Sequence, residues 1–275
     1  MTASTIAGLS RCSECGFQTA NLNLSNEELF SLYSEKYFQG EEYANYLADR
    51  RAIERSFHGR LETLLRYTPE PRQKDLFEVG CAYGLFLNLA RYHYRKVSGI
   101  DISSTAIDFA KNDLRLDVRC GDLLSSDVPE HIDVACLWDT IEHLSRPDLY
   151  IEKLATVMPK GGVIAITTGD IESAVARWRG RKWRQIHPPT HLQYFSKKTL
   201  STLLERHGFF VRYAGYDGMY RSVESMSYIV FALKRRQARI HRALKRLGVL
   251  NFDLYLNLRD IMFLIAEKRL PNAIL

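Results

Sequence analysis

The chain has 275 residues, enough for one large α/β domain with additions or for two small domains. Its residues are 46% apolar and 25% charged, as in ordinary globular proteins, and no apolar run is long enough to span a membrane. The five cysteines fit a reducing cytoplasm better than a disulfide framework. The N-terminus lacks a basic start followed by a long apolar core, so it does not predict a secretory signal.

The net charge is +6, and the positive excess is concentrated in two segments. One is RWRGRKWR, residues 177–184, and the other is KRRQARIHRALKRLG, residues 234–248, which has seven Lys or Arg and no acid. Two interpretations stay open. The segments form solvated basic faces, or they contact an anionic partner such as a phosphorylated substrate, an acidic lipid surface or nucleic acid.

We expect residues 1–70 to form an N-terminal extension, with a cysteine pair followed by a Tyr- and Phe-rich helical region. Cys12 and Cys15 form a C-x-x-C pair, which resembles half of a zinc site. A structural zinc needs four ligands, and no second pair lies upstream. We therefore expect a weakly ordered tail there and no bound zinc.

From residue 75 onwards, segments typical of strands alternate with segments typical of helices, which predicts a doubly wound parallel sheet with right-handed crossovers. The predicted main domain covers residues 71–275, with a helical insertion at 219–248. The expected strands are 75–80, 96–103, 116–122, 132–139, 163–170, 209–217 and 260–268. In such sheets, ligands bind at the carboxyl ends of the strands, where the strand order reverses.

The first of these strands ends in EVGCAYG, residues 78–84. A dinucleotide site needs three glycines spaced G-x-G-x-x-G to receive a pyrophosphate, but here only Gly80 and Gly84 are present, and Ala82 stands between them. Glu78 precedes the turn, where its carboxylate would repel a pyrophosphate but would suit an amine or a sulfonium. The motif therefore favours S-adenosylmethionine, which has both groups and no phosphate.

Two further acids follow the next two strands. Asp101 is placed to accept both ribose hydroxyls, and Asp122 is placed to meet the adenine amino group. A lone Asp could equally cap a turn, but three acids at three successive strand ends indicate a cofactor site. The expected cofactor site consists of Glu78, Gly80, Cys81, Gly84, Asp101, Ile102, Asp122, Leu123 and Trp138.

With the motifs EVGCAYG, GIDIS, GDLL, LWDTIEHLSRP and VMPKGGVIAIT, the chain resembles the class I S-adenosylmethionine-dependent methyltransferases over about residues 70–215 and the last strand. HPPTHLQYFSKKTLSTLLERHGF is similar to the corresponding segment of a bacterial subgroup related to ubiquinone-type O-methyltransferases. The resemblance implies a Rossmann-like, seven-stranded sheet whose last strand runs antiparallel. It also implies methyl transfer, which we expect to reach an oxygen of a small-molecule, sugar or lipid-linked acceptor.

Asp139, Glu142 and His143 follow the fourth strand as D-x-x-E-H, positions that share one face if a helix begins there. His191 follows the fifth strand, so its loop should reach the same rim. In some related methyltransferases a similar set holds a divalent cation, so the resemblance implies a metal at Asp139, Glu142 and His143 as one alternative. The others are metal-free catalysis, with His143 or His191 as the base and an acid orienting it, and a structural role.

The expected insertion is apolar in MSYIVFAL, residues 226–233, and basic thereafter. It either docks on an acidic lipid or lipid-linked phosphate, or packs on the sheet with a solvated basic face. Two other functions stay open: an RNA methyltransferase, although no RNA-binding module is recognisable, and a cofactor-binding scaffold without catalysis. We expect a cytoplasmic location, extended to the inner membrane face if the insertion binds lipid.

Overall fold

The computed structural model describes residues 2–4, 6, 8–22 and 46–269. Within them, a large sheet and a small sheet account for all the strands. The strands are β1 (Thr2–Ala3), β2 (Leu9–Arg11), β3 (Gln18–Ala20), β4 (Asp75–Val79), β5 (Lys96–Asp101), β6 (Asp117–Cys120), β7 (Val134–Trp138), β8 (Val163–Gly169), β9 (Gln193–Tyr194), β10 (Phe209–Ser222) and β11 (Asp253–Lys268).

The helices follow the alternation that the sequence predicts. They are α1 (Arg50–Arg66), α2 (Leu85–Ala90), α3 (Ser104–Asn112), α4 (Pro147–Val157), α5 (Ala174–Arg179), α6 (Lys197–Arg206), α7 (Val223–Ser227) and α8 (Ala238–Arg246), with a π-helical segment at Tyr228–Lys234 and 3-10 turns at Pro71–Gln73, Ile141–His143 and Gly180–Lys182. None of the helices in these ranges is long and apolar enough to cross a bilayer.

The large sheet has the order β10-β11-β8-β7-β4-β5-β6. Its pairs are parallel except those of β11, which runs antiparallel to both neighbours. β7 is buried throughout and β8 in all but its last residue, as expected for strands covered on both faces. The predicted seven-stranded Rossmann-like sheet is confirmed. The strand order reverses at β4, with β5 on one side and β7 on the other, so a ligand site is expected there.

The N-terminal segment is not the weakly ordered tail that we expected. β1, β2, β3 and β9 form a four-stranded antiparallel sheet, in which Gln18 pairs with Tyr194. Leu9 packs with Ile171, Trp183 and Tyr194, so apolar contacts hold this sheet against the main domain. Strands of two or three residues show no period in a sequence, and β9, which joins this sheet to the rest of the chain, lies more than 170 residues from β3.

Cys12 and Cys15 lie in the turn between β2 and β3. The Gly16 amide donates to the Cys12 carbonyl at 3.0 Å and closes this turn. Backbone hydrogen bonds, from Cys15 first and then from Glu14, lower the pKa of the Cys12 thiol. The statement that no zinc binds here stays a prediction.

The expected insertion begins later than predicted. β10 runs on to Ser222 and β11 starts already at Asp253, so residues 219–222 belong to a strand and pair with β11, Met219 opposite Leu256 and Ser222 opposite Asp253. The sequence does not reveal this extension, because whether a strand continues depends on a partner strand that is distant in the sequence. Only α7, the π-helical segment and α8 lie between the two strands. The division between residues 70 and 71 stays a prediction, and α1 packs on the large sheet through Leu61 and Leu64.

Candidate active site

A cavity of about 280 Å³ lies at the carboxyl ends of β4, β5, β6 and β7. Its wall is completed by α1 and by the end of β10. Of the predicted cofactor residues, those that line it are Glu78, Gly80, Cys81, Asp101, Ile102, Asp122, Leu123 and Trp138. Gly84 is not part of this wall, since it lies at the start of α2, where it adopts a positive φ of 71°. The cavity coincides with the reversal of strand order.

Three buried side-chain atoms of the described residues have no hydrogen-bond partner, and all three belong to this region. They are Oε2 of Glu78, Nε1 of Trp138 and Oε2 of Glu142. Glu78 and Trp138 line the cavity, and Glu142 lies in the turn beside it. Because a buried polar atom without a partner is costly, three at one place indicate that a polar ligand completes the site.

Glu78 is only 2% exposed. Burial, together with the nearby Asp101 carboxylate, raises the pKa of Glu78 well above its ordinary range, and the charge of Arg60 opposes the shift. A cation or a hydrogen-bond donor in the cavity would relieve this cost. The amine of S-adenosylmethionine would be such a donor, so the residue fits the cofactor that the sequence favours.

The loop after β4 is held close to β5. Asp101 accepts the amide of Ala82 on one oxygen and the amide of Ser103 on the other, both at 2.8 Å. Each oxygen retains a second lone pair, so ribose hydroxyls can still bind. Ala82 adopts a positive φ of 43°, a conformation that costs energy for a non-glycine residue and recurs at ligand sites. Gly80 is required, because a Cβ there would lie 2.5 Å from Thr140 Oγ1.

Asp122 lies at the far end of the cavity, after β6. Its Oδ1 accepts a short hydrogen bond from the Tyr150 hydroxyl and another from the Leu124 amide at 3.3 Å. Burial and then the hydrogen bond to Asp122 raise the pKa of Tyr150, so this phenol stays a donor. Asp122 is therefore fixed in place, with Leu123 beside it in the wall.

Arg60 is a site residue that the sequence motifs did not predict. It is 4% exposed and lies between two acids, with Nη1 2.8 Å from Asp139 Oδ2 and Nε 2.7 Å from Asp217 Oδ2. Its guanidinium carbon is 5.6 Å from the ring centre of Trp138. Burial acts to lower the pKa of Arg60, but the charges of Asp139 and Asp217 outweigh it and raise that pKa.

The sequence did hold one signal for Arg60. On α1 it is three residues after Phe57 and four before Leu64, so it occupies the stripe that an amphipathic helix buries. A charged residue within such a stripe needs a partner inside the protein. The partner could not be named, since Asp217 is 157 positions away in the chain.

The second functional cluster consists of Glu142, His143 and His191. One ligand atom from each lies within 4.8 Å of the other two. The imidazole rings of the two histidines are 4.7 Å apart between centres, and the Leu192 amide donates to the Glu142 carbonyl at 2.9 Å. His143 also lines the cavity, so His191 reaches the same rim as the sequence predicted.

Asp139 is not a member of this cluster. The residues after β7 form a 3-10 turn, Ile141–His143, and not the α-helix on which the shared face depended. Asp139 adopts a positive φ of 50° and pairs with Arg60. Among the described residues, the ligand atoms that converge are those of Glu142, His143 and His191, and the expected metal set of Asp139, Glu142 and His143 stays a prediction.

Backbone carbonyls orient both imidazoles. Nδ1 of His143 lies 2.8 Å from the Thr190 carbonyl, and Nδ1 of His191 lies 3.0 Å from the Gln185 carbonyl. Because a carbonyl only accepts, these contacts favour the tautomer with the proton on Nδ1. Burial lowers the pKa of His143, and burial followed by the two neighbouring histidines lowers that of His191 to about 2, so His191 is neutral.

Glu142 experiences the opposite shift. Burial and then the Asp139 carboxylate raise the pKa of Glu142 to about 8. One carboxylate and two neutral imidazoles are ligands that divalent transition metals and zinc accept. The donor set therefore fits a divalent cation, which would also relieve the unpartnered oxygen of Glu142.

Residues 46–214, more than half of the chain, match a family model described as a methyltransferase domain. Together with the sheet order and the antiparallel β11, this match decides the family. The chain belongs to the class I S-adenosylmethionine-dependent methyltransferases. The resemblance inferred from the sequence motifs is confirmed.

Among curated relatives, this methyltransferase is 29% identical over 102 residues to the ubiquinone biosynthesis O-methyltransferase of Coxiella burnetii, a match to 34% of this chain and 43% of that protein. The protein of the same name from Nitrobacter winogradskyi is 29% identical over 98 residues, with 34% and 38% covered. The match thus spans less than half the length of these relatives.

Solved structures share the fold of this methyltransferase. A putative methyltransferase from Bacillus halodurans aligns with a TM-score of 0.57 and 11% identity, over 77% of this chain and all of that one. The magnesium protoporphyrin IX methyltransferase of Synechocystis, solved with bound SAH, aligns with a TM-score of 0.54 and 13% identity, over 85% and 92% of the two chains. At such identities the likeness concerns the fold alone.

Proposed function

We propose that the protein transfers a methyl group from S-adenosylmethionine to an oxygen of a hydroxyl-bearing acceptor. The observation that carries this proposal is that one cavity has three acids at successive strand ends on one side and His143, with its partners Glu142 and His191, on the other. A cofactor and an acceptor could therefore meet between β4 and β7. Methyl transfer needs this arrangement, because the acceptor atom must lie in line with the methyl group.

On the cofactor side, each acid has a separate role. Glu78 accepts a hydrogen bond from the cofactor's amine, Asp101 accepts the ribose hydroxyls, and Asp122 with Leu123 borders the adenine. Gly80 lets the backbone approach closely, since no Cβ fits beside Thr140. Bound in this way, S-adenosylmethionine supplies an activated methyl group.

On the acceptor side, the hydroxyl must lose its proton. The geometry favours a divalent cation held by Glu142, His143 and His191, without Asp139, because the three ligand atoms converge within 4.8 Å. Such a cation would lower the pKa of the acceptor hydroxyl. If no cation binds, His143 is the base of choice, since it lines the cavity and burial keeps it neutral. In that case Asp139 does not contact the acceptor proton. It pairs with Arg60 and so holds this part of the cavity wall in place.

Oxygen as the methylated atom is supported by the relatives named ubiquinone biosynthesis O-methyltransferase. The wall of the cavity also includes the apolar side chains of Ile53, Phe57 and Met219, together with Arg221. No ion pair of Arg221 is found within the described parts of the chain. This mixture suits a small, glycan or lipid-linked acceptor that has both an apolar and an anionic part.

Transfer of a labelled methyl group to phenolic, sugar and lipid-linked acceptors tests the proposal, with chelator and with magnesium, manganese or zinc restored. We expect chelation to abolish turnover and one of the cations to restore it. His143→Ala and His191→Ala should lose turnover at least about 100-fold, the usual scale of acid–base or metal assistance. His93→Ala, an exposed histidine after α2, is the control. Full turnover in chelator and in both variants would refute these roles.

A further inference from the structure

The segment between β10 and β11 contains the excess charge of the whole molecule. Residues 223–252, here called the lobe, have seven Lys or Arg and one Glu, so their net charge is +6. The chain as a whole also has a net charge of +6, which means that all other residues together are neutral. Arg239, Arg242 and Arg246 lie exposed along one side of α8. The lobe is therefore, together with residues 177–184, one of the two segments that generate positive potential.

The same lobe exposes apolar side chains. Ile240 on α8 is 41% exposed, and Leu247, which caps the end of α8, is 74% exposed. Because they are seven positions apart in helical backbone, they lie on one face, beside the arginines. The opposite side of α8 is anchored inward, because His241 is buried, with Nδ1 3.2 Å from Ser227 Oγ and its ring 5.4 Å from that of Tyr228. The apolar face is thus held outward by the packing of the helix.

This exposure is specific to one part of the molecule. Of the fifteen large apolar side chains that are exposed among the described residues, eleven fall between positions 228 and 258. They include Val249 and Phe252 in the lobe and Leu254, Leu256 and Leu258 at alternate positions of β11. Single exposed apolar residues need no explanation, but a concentration of them marks an interaction surface.

We infer that the lobe is a docking surface for an anionic lipid bilayer. Such a partner satisfies both features at once, because lipid phosphates meet the arginines and because Ile240 and Leu247 enter the boundary between headgroups and acyl chains. A second copy of the chain would bring +6 against +6 and is disfavoured by repulsion. Nucleic acid would meet the charge but leave the apolar face in water.

The lobe is connected to the cavity through β10. Met219 and Arg221 line the cavity, and α7 begins two residues after Arg221. On the other strand, Asp253 pairs with Arg51 at 3.0 Å and with Arg55 at 3.2 Å, which ties the base of the lobe to α1, another wall of the cavity. Docking would thus bring the cavity close to the bilayer, where a lipid-linked acceptor could enter. That last step rests on the proposed function, whereas docking itself does not.

Co-sedimentation of the full-length protein with vesicles tests the inference. We expect binding to an equimolar mixture of phosphatidylglycerol and phosphatidylcholine, weakening at high salt, and no binding to phosphatidylcholine alone. Each basic residue near an anionic surface is worth about a fivefold change in affinity, so Arg239→Gln, Arg242→Gln and Arg246→Gln combined should lower the partition coefficient about 100-fold. Ile240→Ser with Leu247→Ser should also lower it, by about tenfold or more.

The controls match the variants in exposure and chemistry. Lys111→Gln, Lys160→Gln and Lys198→Gln remove three exposed charges elsewhere, and Tyr92→Ser removes a side chain that is 64% exposed. Both controls should bind like the wild type. The inference is overturned if the protein does not bind anionic vesicles or if it binds phosphatidylcholine alone equally well. It is also overturned if the protein self-associates and Leu247→Ser abolishes that self-association without weakening vesicle binding. Cofactor titration of the same samples shows separately whether the proposed function holds.

Discussion

At the scale of single residues, the buried Glu78 carboxyl destabilises the folded protein but is available to bind the cofactor. Since burial raises its pKa far above the usual 4.5, the folded state retains a proton that the unfolded state has lost. The stability from this group is complete below about pH 4.5 and is lost as the pH rises towards the folded-state value. At neutral pH, the buried Glu78 carboxyl therefore lowers the stability of the cofactor-free protein.

Glu78→Gln should remove this pH-dependent cost, because its side chain has no carboxyl to ionise. We expect the free energy of unfolding at pH 8 to rise by about 1 kcal/mol or more, the equivalent of a pKa difference of roughly 1 between the folded and unfolded states, with a smaller gain at pH 5. Affinity for S-adenosylmethionine should fall in the same variant. Urea unfolding at both pH values, together with calorimetry, measures the two effects. A variant less stable than the wild type at pH 8 would show that Glu78 supports the fold instead.

The loss of Arg60 should destabilise the protein, because Arg60 is buried between two acids. Arg60→Gln leaves Asp139 and Asp217 without their cation, and breaking a buried ion pair typically costs about 3–5 kcal/mol. Asp139→Asn should cost less, because Arg60 keeps Asp217 at 2.7 Å. Urea unfolding measures both changes, with Arg66→Gln, an exposed position on α1, as the control. Equal losses in Arg60→Gln and Arg66→Gln would contradict the role of the buried pairs.

At the scale of elements, the small sheet supports the Glu142–His143–His191 cluster. β3 pairs with β9, the Ala20 amide donates to the Leu192 carbonyl at 2.8 Å, and the Leu192 amide donates to Glu142. The N-terminal segment thus reaches the acceptor side of the cavity through β9. Of its described strands, β1, β2 and β3, none pairs with β4, β5 or β6, the strands whose ends carry the cofactor acids.

Leu9→Ala should therefore affect the acceptor side of the site and leave the cofactor side unchanged. Leu9 is 3% exposed and packs with Trp183 and Tyr194, so its truncation should cost about 2–5 kcal/mol of local stability. Hydrogen exchange should become faster in residues 183–195, and cation binding should weaken, while cofactor affinity stays unchanged. Equal weakening of cofactor and cation binding would argue against this division.

The sequence predicted those parts of the structure that have local signals. Glu78 stands at the end of an apolar run just before the glycine turn, and Asp101 and Asp122 stand at the ends of the next two predicted strands, so the amino-acid pattern alone locates these three acids. The N-terminal cap of α6 also depends on neighbouring residues only, since Ser196 accepts the Thr199 amide three positions away. Arg60, the extension of β10 and the small sheet could not be predicted, because each depends on a partner more than 30 positions away.

At the scale of the whole molecule, ligand binding and stability are linked. A ligand that binds only the folded state stabilises it by about 2.7 kcal/mol at 100 times its Kd. S-adenosylmethionine should therefore raise the melting temperature of the wild type, and at the same concentration it should raise that of Asp101→Ala by half as much or less. Thermal unfolding at several cofactor concentrations measures this. A shift of equal size in both proteins would place the cofactor elsewhere.

Calorimetric titration with S-adenosylmethionine tests the central claim, that the cavity at β4 is the cofactor site, most directly. The wild type should bind one equivalent, and Asp101→Ala should lose about 1.5–3 kcal/mol, the value of a hydrogen bond to a charged group, which is roughly a 10- to 150-fold weaker Kd. Asp108→Ala, an exposed acid on the neighbouring α3, should bind like the wild type. Unchanged affinity in folded Asp101→Ala, or no binding by the wild type, would contradict the account.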